Sequence, residues 1–358
     1  MTPLKRATIT ASAVVLVGLA GLVARTLILG GAFEDVKPVP LACTAIPGVI
    51  GAEDLAIDAK SGLLFASAMD RRAPGSKADG IYALPLAHPE LGFTKLAGTP
   101  SVFHPHGISL FRASDGSLTL MAVNHMGSDR RAPEHHAIDI FEVTVADGMP
   151  KLNEIGDIQS DKLLHPNDVA AVGKTQFYVT NDHGSVTPTG RELENYLTLP
   201  RANLLYFDGA VFREAATGLV FANGVAVSND GRHLYVAEAT TRHIRTFGRD
   251  AFSGRLTEES SLDLSAGPDN IDVAADGALW VAGHPKLFDV VAYSTDPSKP
   301  SPTEIFKLAV KDGIPDSAAT VYANDGHEIG AGSVGVAAGE DLFIGSIFDA
   351  KILACRLP

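Results

Sequence analysis

Six segments of this chain share one grammar. Each opens on an acidic, amide, histidine or small residue, runs into a short alternating apolar strand, turns (often through Asp-Gly), and returns as a second apolar strand. The openings are Glu53–Asp58, His106–Leu110, Asn167–Ala171, Asn223–Val227, Asn270–Val273 and Ser333–Val336. The returning strands hold Leu63–Ala66, Leu118–Val123, Phe177–Val179, Leu234–Val236, Leu279–Val281 and Leu342–Ile344. Successive openers lie 47 to 63 residues apart, room for a four-stranded blade with its loops. Strand-turn-strand units at such a period, with little helical periodicity, predict an all-β, six-bladed β-propeller over residues 34–358. A pair of sandwiches or a solenoid would not explain six polar openers at one repeat position.

A propeller is a closed ring, so its ends meet. Cys43 precedes the first repeat and Cys355 sits in the last predicted strand, and these are the two cysteines of the chain. A disulfide between them would staple the ring and would require an oxidising compartment; two buried free thiols are the other reading. Lys5 and Arg6 precede an uncharged run from Ala7 to Ala24. Eighteen helical residues rise about 27 Å, close to the thickness of a bilayer core. No clean small-x-small cleavage site follows, so residues 1–33 read as an uncleaved signal anchor, with a cleaved signal peptide as the alternative. Either predicts an exported body, in the periplasm or outside the cell, anchored to the membrane or secreted.

The net charge is −13, and residues 1–25 carry only cations, so the body is more acidic still. Such a surface repels phosphate backbones, which argues against a nucleic-acid partner. It leaves a small molecule as the expected partner, and the sequence does not indicate an oligomeric state.

The first strand of a propeller blade lines the central channel. Residues at one repeat position therefore form a ring on the axis: Glu53, His106, Asn167, Asn223, Asp269 with Asn270, and Ser333. Carboxylate and amide oxygens are hard donors and suit Ca2+, whereas zinc calls for more His or Cys. Neighbours on a strand point to opposite sides. If Glu53 and Asn167 face one ion, Asp54 and Asp168 are free to face a second below it. His106 lies in the ring, and His125 ends the partner strand of the same blade, so the hairpin can bring two imidazoles together at the mouth. A His pair beside such a site can take and relay a proton near neutral pH. His88, His135, His136, His233 and His243 read as surface residues, and Arg71-Arg72 and Arg130-Arg131 as solvated loops. The G-x-G-x-x-G match at Gly330–Gly335 leads into a strand, not a helix, and predicts no dinucleotide site. No G-x-S-x-G nucleophile elbow occurs.

Taken in order, Glu53-Asp54, Pro105–Ser109, Asn124-His125, His165–Val169, Thr180–His183, Phe221–Gly224 and Asp269–Ile271 resemble the calcium-dependent paraoxonase/arylesterase family of lactonases. The resemblance runs from about Cys43 to Cys355. It implies a six-bladed propeller, a Cys43–Cys355 disulfide, a retained hydrophobic N-terminus and two calcium ions. Glu53, Asn167, Asn223, Asp269 and Asn270 would hold the catalytic ion. Asp54, Asp168 and the Ile108 carbonyl would hold the structural one, and His106 and His125 would form the catalytic pair, with Glu53 or Asp269 as the alternative group to activate the water. The implied activity is hydrolysis of lactones and aryl esters by water. A gluconolactonase-like or organophosphate-hydrolysing propeller, or a non-catalytic binding propeller, are the alternatives. The loop Met69–Gly75 departs from the family, with no aromatic where the animal enzymes tend to place one over the pocket, and Gly283-His284-Pro285 lacks the free thiol some members carry.

Overall fold

The computed structural model describes residues 3–73, 75–127, 135–146 and 149–358, with side chains for all of these except 3–13, 15 and 146. Arg130 and Arg131 lie outside the described residues.

The chain forms six four-stranded antiparallel sheets. The first strands of the blades are Ala52–Asp58, Pro105–Arg112, Pro166–Ala171, Ala222–Val227, Gly267–Val273 and Gly332–Ala338. Each contacts the next, and the sixth contacts the first, so the ring is closed. The sixth blade is completed by the strand Ala42–Pro47, which pairs in register with Lys351–Arg356. Cys43 and Cys355 are Cα partners in that pairing and are joined by a disulfide across 312 residues. The fold and the bridge both agree with the expectation from the repeats.

Middle strands such as Leu63–Ala68 are buried at every position. A blade is covered on both faces by its neighbours, so its inner strands read as continuous apolar runs, as in any sheet buried on two sides. Outer strands such as Leu256–Asp263 are mostly exposed or half-buried. The core is a set of seams between blades. Phe65 of blade one meets Leu120 and Phe141 of blade two, and Met121 of blade two meets Phe177 and Val179 of blade three. The seam that closes the ring joins Leu55 and Leu64 to Val334 and Phe343. Gly116, Gly231 and Gly277 each end an Asp-Gly turn at φ between 72° and 85°, a conformation open to glycine at no steric cost.

Three helices lie apart from the blades: α1 (Pro3–Leu29), α2 (Pro188–Leu197) and α3 (Leu287–Thr295). α2 and α3 are inserted between the second and third strands of blades three and five. The end of α1 reaches both inserts. Arg25 donates to the Thr198 hydroxyl, the Thr26 hydroxyl donates to the Tyr196 carbonyl at 3.0 Å, and the Leu287 amide donates to the Gly30 carbonyl at 3.0 Å. No helix among the described residues is long and apolar enough to cross a membrane. Side chains 3–13 and 15 of the predicted leader lie outside those described.

Candidate active site

All six inner strands shift register where they meet the second strand of their blade. The breaks fall between Ala52 and Asp54, Pro105 and Ile108, Pro166 and Val169, Ala222 and Val225, Pro268 and Ile271, and Gly332 and Val334. Every opener named from the sequence lies inside one of these bulges. A bulge leaves residues out of the ladder and re-aims their side chains. Strict alternation along a flat strand is therefore not what separates Glu53 from Asp54, or Asn167 from Asp168. The bulge does it, and it lets the adjacent Asp269 and Asn270 both serve the axis.

Glu53, His106, Asn167, Asn223 and Asp269 line one cavity of about 490 Å³ at the mouth of the channel. The Asn270 amide donates to Glu53 Oε1 at 2.9 Å, and His106 Nε2 stands 3.5 Å from the same oxygen. Four buried oxygens remain without a donor: Glu53 Oε2, Asn167 Oδ1, Asn223 Oδ1 and Asn270 Oδ1. One unsatisfied buried acceptor is costly, and four from four blades at one place call for a shared partner. Hard neutral and anionic oxygens fit a divalent cation of the calcium type.

Below them, the carboxylates of Asp54 and Asp168 each accept two backbone amides. Asp54 takes Leu55 N at 2.8 Å and Ile108 N of the next blade at 2.7 Å. Asp168 takes Val169 N and, in the next blade, Val225 N, both at 2.7 Å. Gly107 lies against Asp168 so closely that a Cβ there would stand 2.3 Å from Oδ1. Asp54, Ile108 and Asp168 are thus brought together. Burial, the charge of the neighbouring Asp168 and that of Glu53 push the Asp54 carboxyl well above the usual range, and burial does the same to Asp168. Two buried acids that resist ionising together are a place where a cation is favourable. Burial also raises Asp269, although its hydrogen bond to His284 at 2.7 Å opposes the shift. Burial would raise Glu53 too, but His106 and Arg71 outweigh it and hold that carboxyl low.

His106 and His125 meet as the hairpin predicts, Nδ1 to Nε2 at 2.9 Å. The chain continues from His125 Nδ1 to His136 Nδ1 at 2.9 Å. His136 is buried, so its reading as a surface residue is corrected: it pairs with His125 across the second and third strands of blade two. Burial and the surrounding His106, His136, His165 and Arg71 hold His125 well below the ordinary imidazole range. His165 and His183 both direct Nδ1 to Asp182 Oδ1, at 2.6 and 2.7 Å. These three groups come within 4.8 Å, close enough for a metal. Yet Asp182 Oδ1 is shared by the two rings and its Oδ2 accepts the Asn167 amide at 3.2 Å, so the cluster is already a hydrogen-bonded support for the ring.

The sequence reading missed Asp182, His183 and His284 as members of the site. A signal was present: they stand at the ends of second strands, as His125 does, and antiparallel pairing puts that end beside the opener. It also misplaced the Arg71-Arg72 loop. Arg72 stacks between Tyr293 and Phe348, at 4.5 and 4.8 Å from their ring centres, and its neighbour Arg71 lines the cavity.

Asn124 ties the segment that leads into the inner strand of blade two to the third strand of the blade. It accepts the His104 amide at 2.9 Å and donates to buried Asp139 at 2.8 Å. Burial pushes the Asp139 carboxyl up to about 7. The folded state then holds a proton that the unfolded chain releases near pH 4, so this group's stabilisation is lost as pH rises from about 4 to about 7. Asp139→Asn is expected to gain stability over wild type above about pH 7, on the order of 1–3 kcal/mol, and little below about pH 4. Denaturant midpoints at both pH values measure it; an equal difference at both would remove Asp139 as the source.

The arylesterase family profile matches residues 32–357. Rat serum paraoxonase/arylesterase 1 is 32% identical over 340 residues, covering 91% of this chain and 92% of the rat protein. The human protein of that name gives the same figures. The chain belongs to the arylesterase family. Among solved structures, this arylesterase resembles a luciferin-regenerating enzyme (TM-score 0.51, 13% identity, 88% and 95% of the two chains covered) and the calcium-binding protein regucalcin of Agrobacterium tumefaciens (TM-score 0.50, 14% identity, 91% and 96% covered). At those identities the likeness is one of fold.

Proposed function

We propose that this arylesterase-family chain is a calcium-dependent hydrolase of lactones and aryl esters. Family membership makes it a carboxylic-ester hydrolase. One observation carries the finer reading: four buried oxygens from four blades lack donors, three of them (on Glu53, Asn167 and Asn223) on residues that line one cavity with His106, while Asn270 bonds Glu53 and His125 bonds His106 behind it.

Glu53, Asn167, Asn223, Asp269 and Asn270 would hold the catalytic ion, and Asp54, Asp168 and Ile108 a structural one. A bound calcium supplies a Lewis acid that polarises an ester carbonyl and steadies the oxyanion. The residues of the chain do the rest. With the tautomers in which His106 Nδ1–H donates to His125 Nε2 (2.9 Å) and His125 Nδ1–H donates to His136 Nδ1 (2.9 Å), the His106 Nε2 lone pair faces the cavity beside Glu53. That nitrogen takes the proton of an attacking water. His125, kept neutral by burial, accepts the hydrogen bond that fixes the tautomer. The Glu53 carboxylate, 3.5 Å from His106 Nε2, steadies the imidazolium that forms. Apolar side chains of α3 and Phe221 close the cavity around the acyl group.

His106→Ala is expected to lower kcat for phenyl acetate by about 10²- to 10⁴-fold, the usual contribution of a general base. His125→Ala should lose less, because it acts through His106. Steady-state rates at several pH values test this, and wild-type kcat in His106→Ala would reject the histidine as base. The wider test is a panel of lactones and aryl esters assayed with and without chelator. Turnover that needs calcium supports the proposal. Bound calcium without turnover would make the chain a binding propeller.

A further inference from the structure

The cavity holds a buried cation that the mechanism does not use. Arg71 sits on the loop between the second and third strands of blade one, and the loop is pinned on both sides of it. The Asp70 amide donates to Asp79 at 2.9 Å. Arg72 lies between Tyr293 and Phe348 and donates to the Tyr293 carbonyl at 2.6 Å. Arg71 is thereby aimed into the cavity, alongside Glu53, His106 and Asp269. Both of its terminal nitrogens are buried, and neither has a hydrogen-bond partner. Burial lowers its pKa, and the charges of Glu53, Asp269 and Asp79 oppose that without a direct contact.

A guanidinium presents paired donors in a planar fork that matches a carboxylate in two parallel bonds. A buried fork with no acceptor is costly unless a ligand completes it. Much of the surrounding wall is apolar, with Leu29, Phe221, Leu287, Phe288, Val290 and Ile347 facing the same space. An acyl chain would lie along that wall, and a terminal anion would end at Arg71.

We infer that Arg71 forms an anion subsite of the active cavity, so that the preferred substrates are esters or lactones whose acyl part carries a carboxylate. This deepens the hydrolase reading and rests on it. The test compares monophenyl glutarate with phenyl butyrate, which share a leaving group and differ in the acyl carboxylate. Wild type is expected to favour the glutarate ester in kcat/KM. Arg71→Gln is expected to cut that preference by about ten- to hundred-fold, chiefly through KM, with Arg71→Lys between the two. Calorimetric titration of the intact protein with butyrate and with butyramide gives a readout free of turnover: butyrate binds more tightly in wild type, and Arg71→Gln loses the difference. A preference that survives Arg71→Gln, or no preference in wild type, overturns the subsite. If neither ester is hydrolysed under any metal condition, the hydrolase reading fails instead, and the titration alone decides whether Arg71 binds an anion.

Discussion

Asp269→Ala is expected to lower kcat/KM for phenyl acetate and simple lactones by about 10³-fold or more, and chelation of the wild-type protein to do the same until calcium is restored. The expectation rests on how many roles converge at this carboxylate. It stands in the bulge of blade five, it accepts His284 at 2.7 Å, and it lines the cavity beside Glu53. It is one of two anionic side chains proposed for the catalytic ion, so its loss removes charge that the three asparagines cannot supply. Asp269→Asn keeps the shape without the charge and should fall nearly as far. Calcium at the two proposed positions should also stabilise the fold, because Glu53 and Asp269 of the first and Asp54 and Asp168 of the second are all buried. Calcium at one hundred times its dissociation constant adds about 2.7 kcal/mol, or roughly 4 °C in Tm for a chain of this size. Full activity after exhaustive chelation, or in Asp269→Ala, would reject the proposed centre. An unchanged Tm on adding calcium would reject its structural half.

Removing the disulfide with Cys43→Ser and Cys355→Ser together should cost about 5 kcal/mol in the chain-entropy account, near the upper end for one bridge. The size follows from the loop it closes, 312 residues. The bridge and the pairing of Ala42–Pro47 with Lys351–Arg356 do the same task, which is to hold the two ends of the ring together. Without the bridge the unfolded chain regains its freedom and the first strand can fray from the sixth blade. The measurement is the denaturant midpoint of the double variant against wild type, with the m-value checked for a two-state change. A midpoint within error of wild type would mean that strand pairing and the seam of Leu55, Leu64, Val334 and Phe343 close the ring unaided.

The same two examples divide what is visible along the chain from what is not. Strand alternation and Asp-Gly turns are local properties, so the six blades can be counted from residues alone, and a ring of six must bring Cys43 near Cys355. His106 and His125 lie on one hairpin, and their meeting depends on no contact more distant than that hairpin. Asp54 and Asp168 adjoin each other, but strand alternation is not the cause. Alternation was assumed where six bulges do the work, and a bulge is set by how a strand start packs against the next blade. His136 and Arg71 carry no local sign of burial, because the groups that enclose them come from other strands and loops.

By itself, then, the order of residues determined the architecture, the closure of the ring and the kinds of donor on its axis, because these follow from repeat spacing and side-chain chemistry. Tertiary structure alone decided which oxygens are left without a donor, that Asp182 and His284 brace the ring, and that Arg71 turns inward. Those outcomes depend on contacts such as Arg72 with Tyr293 and Phe348, made between residues more than two hundred positions apart, which no local pattern records.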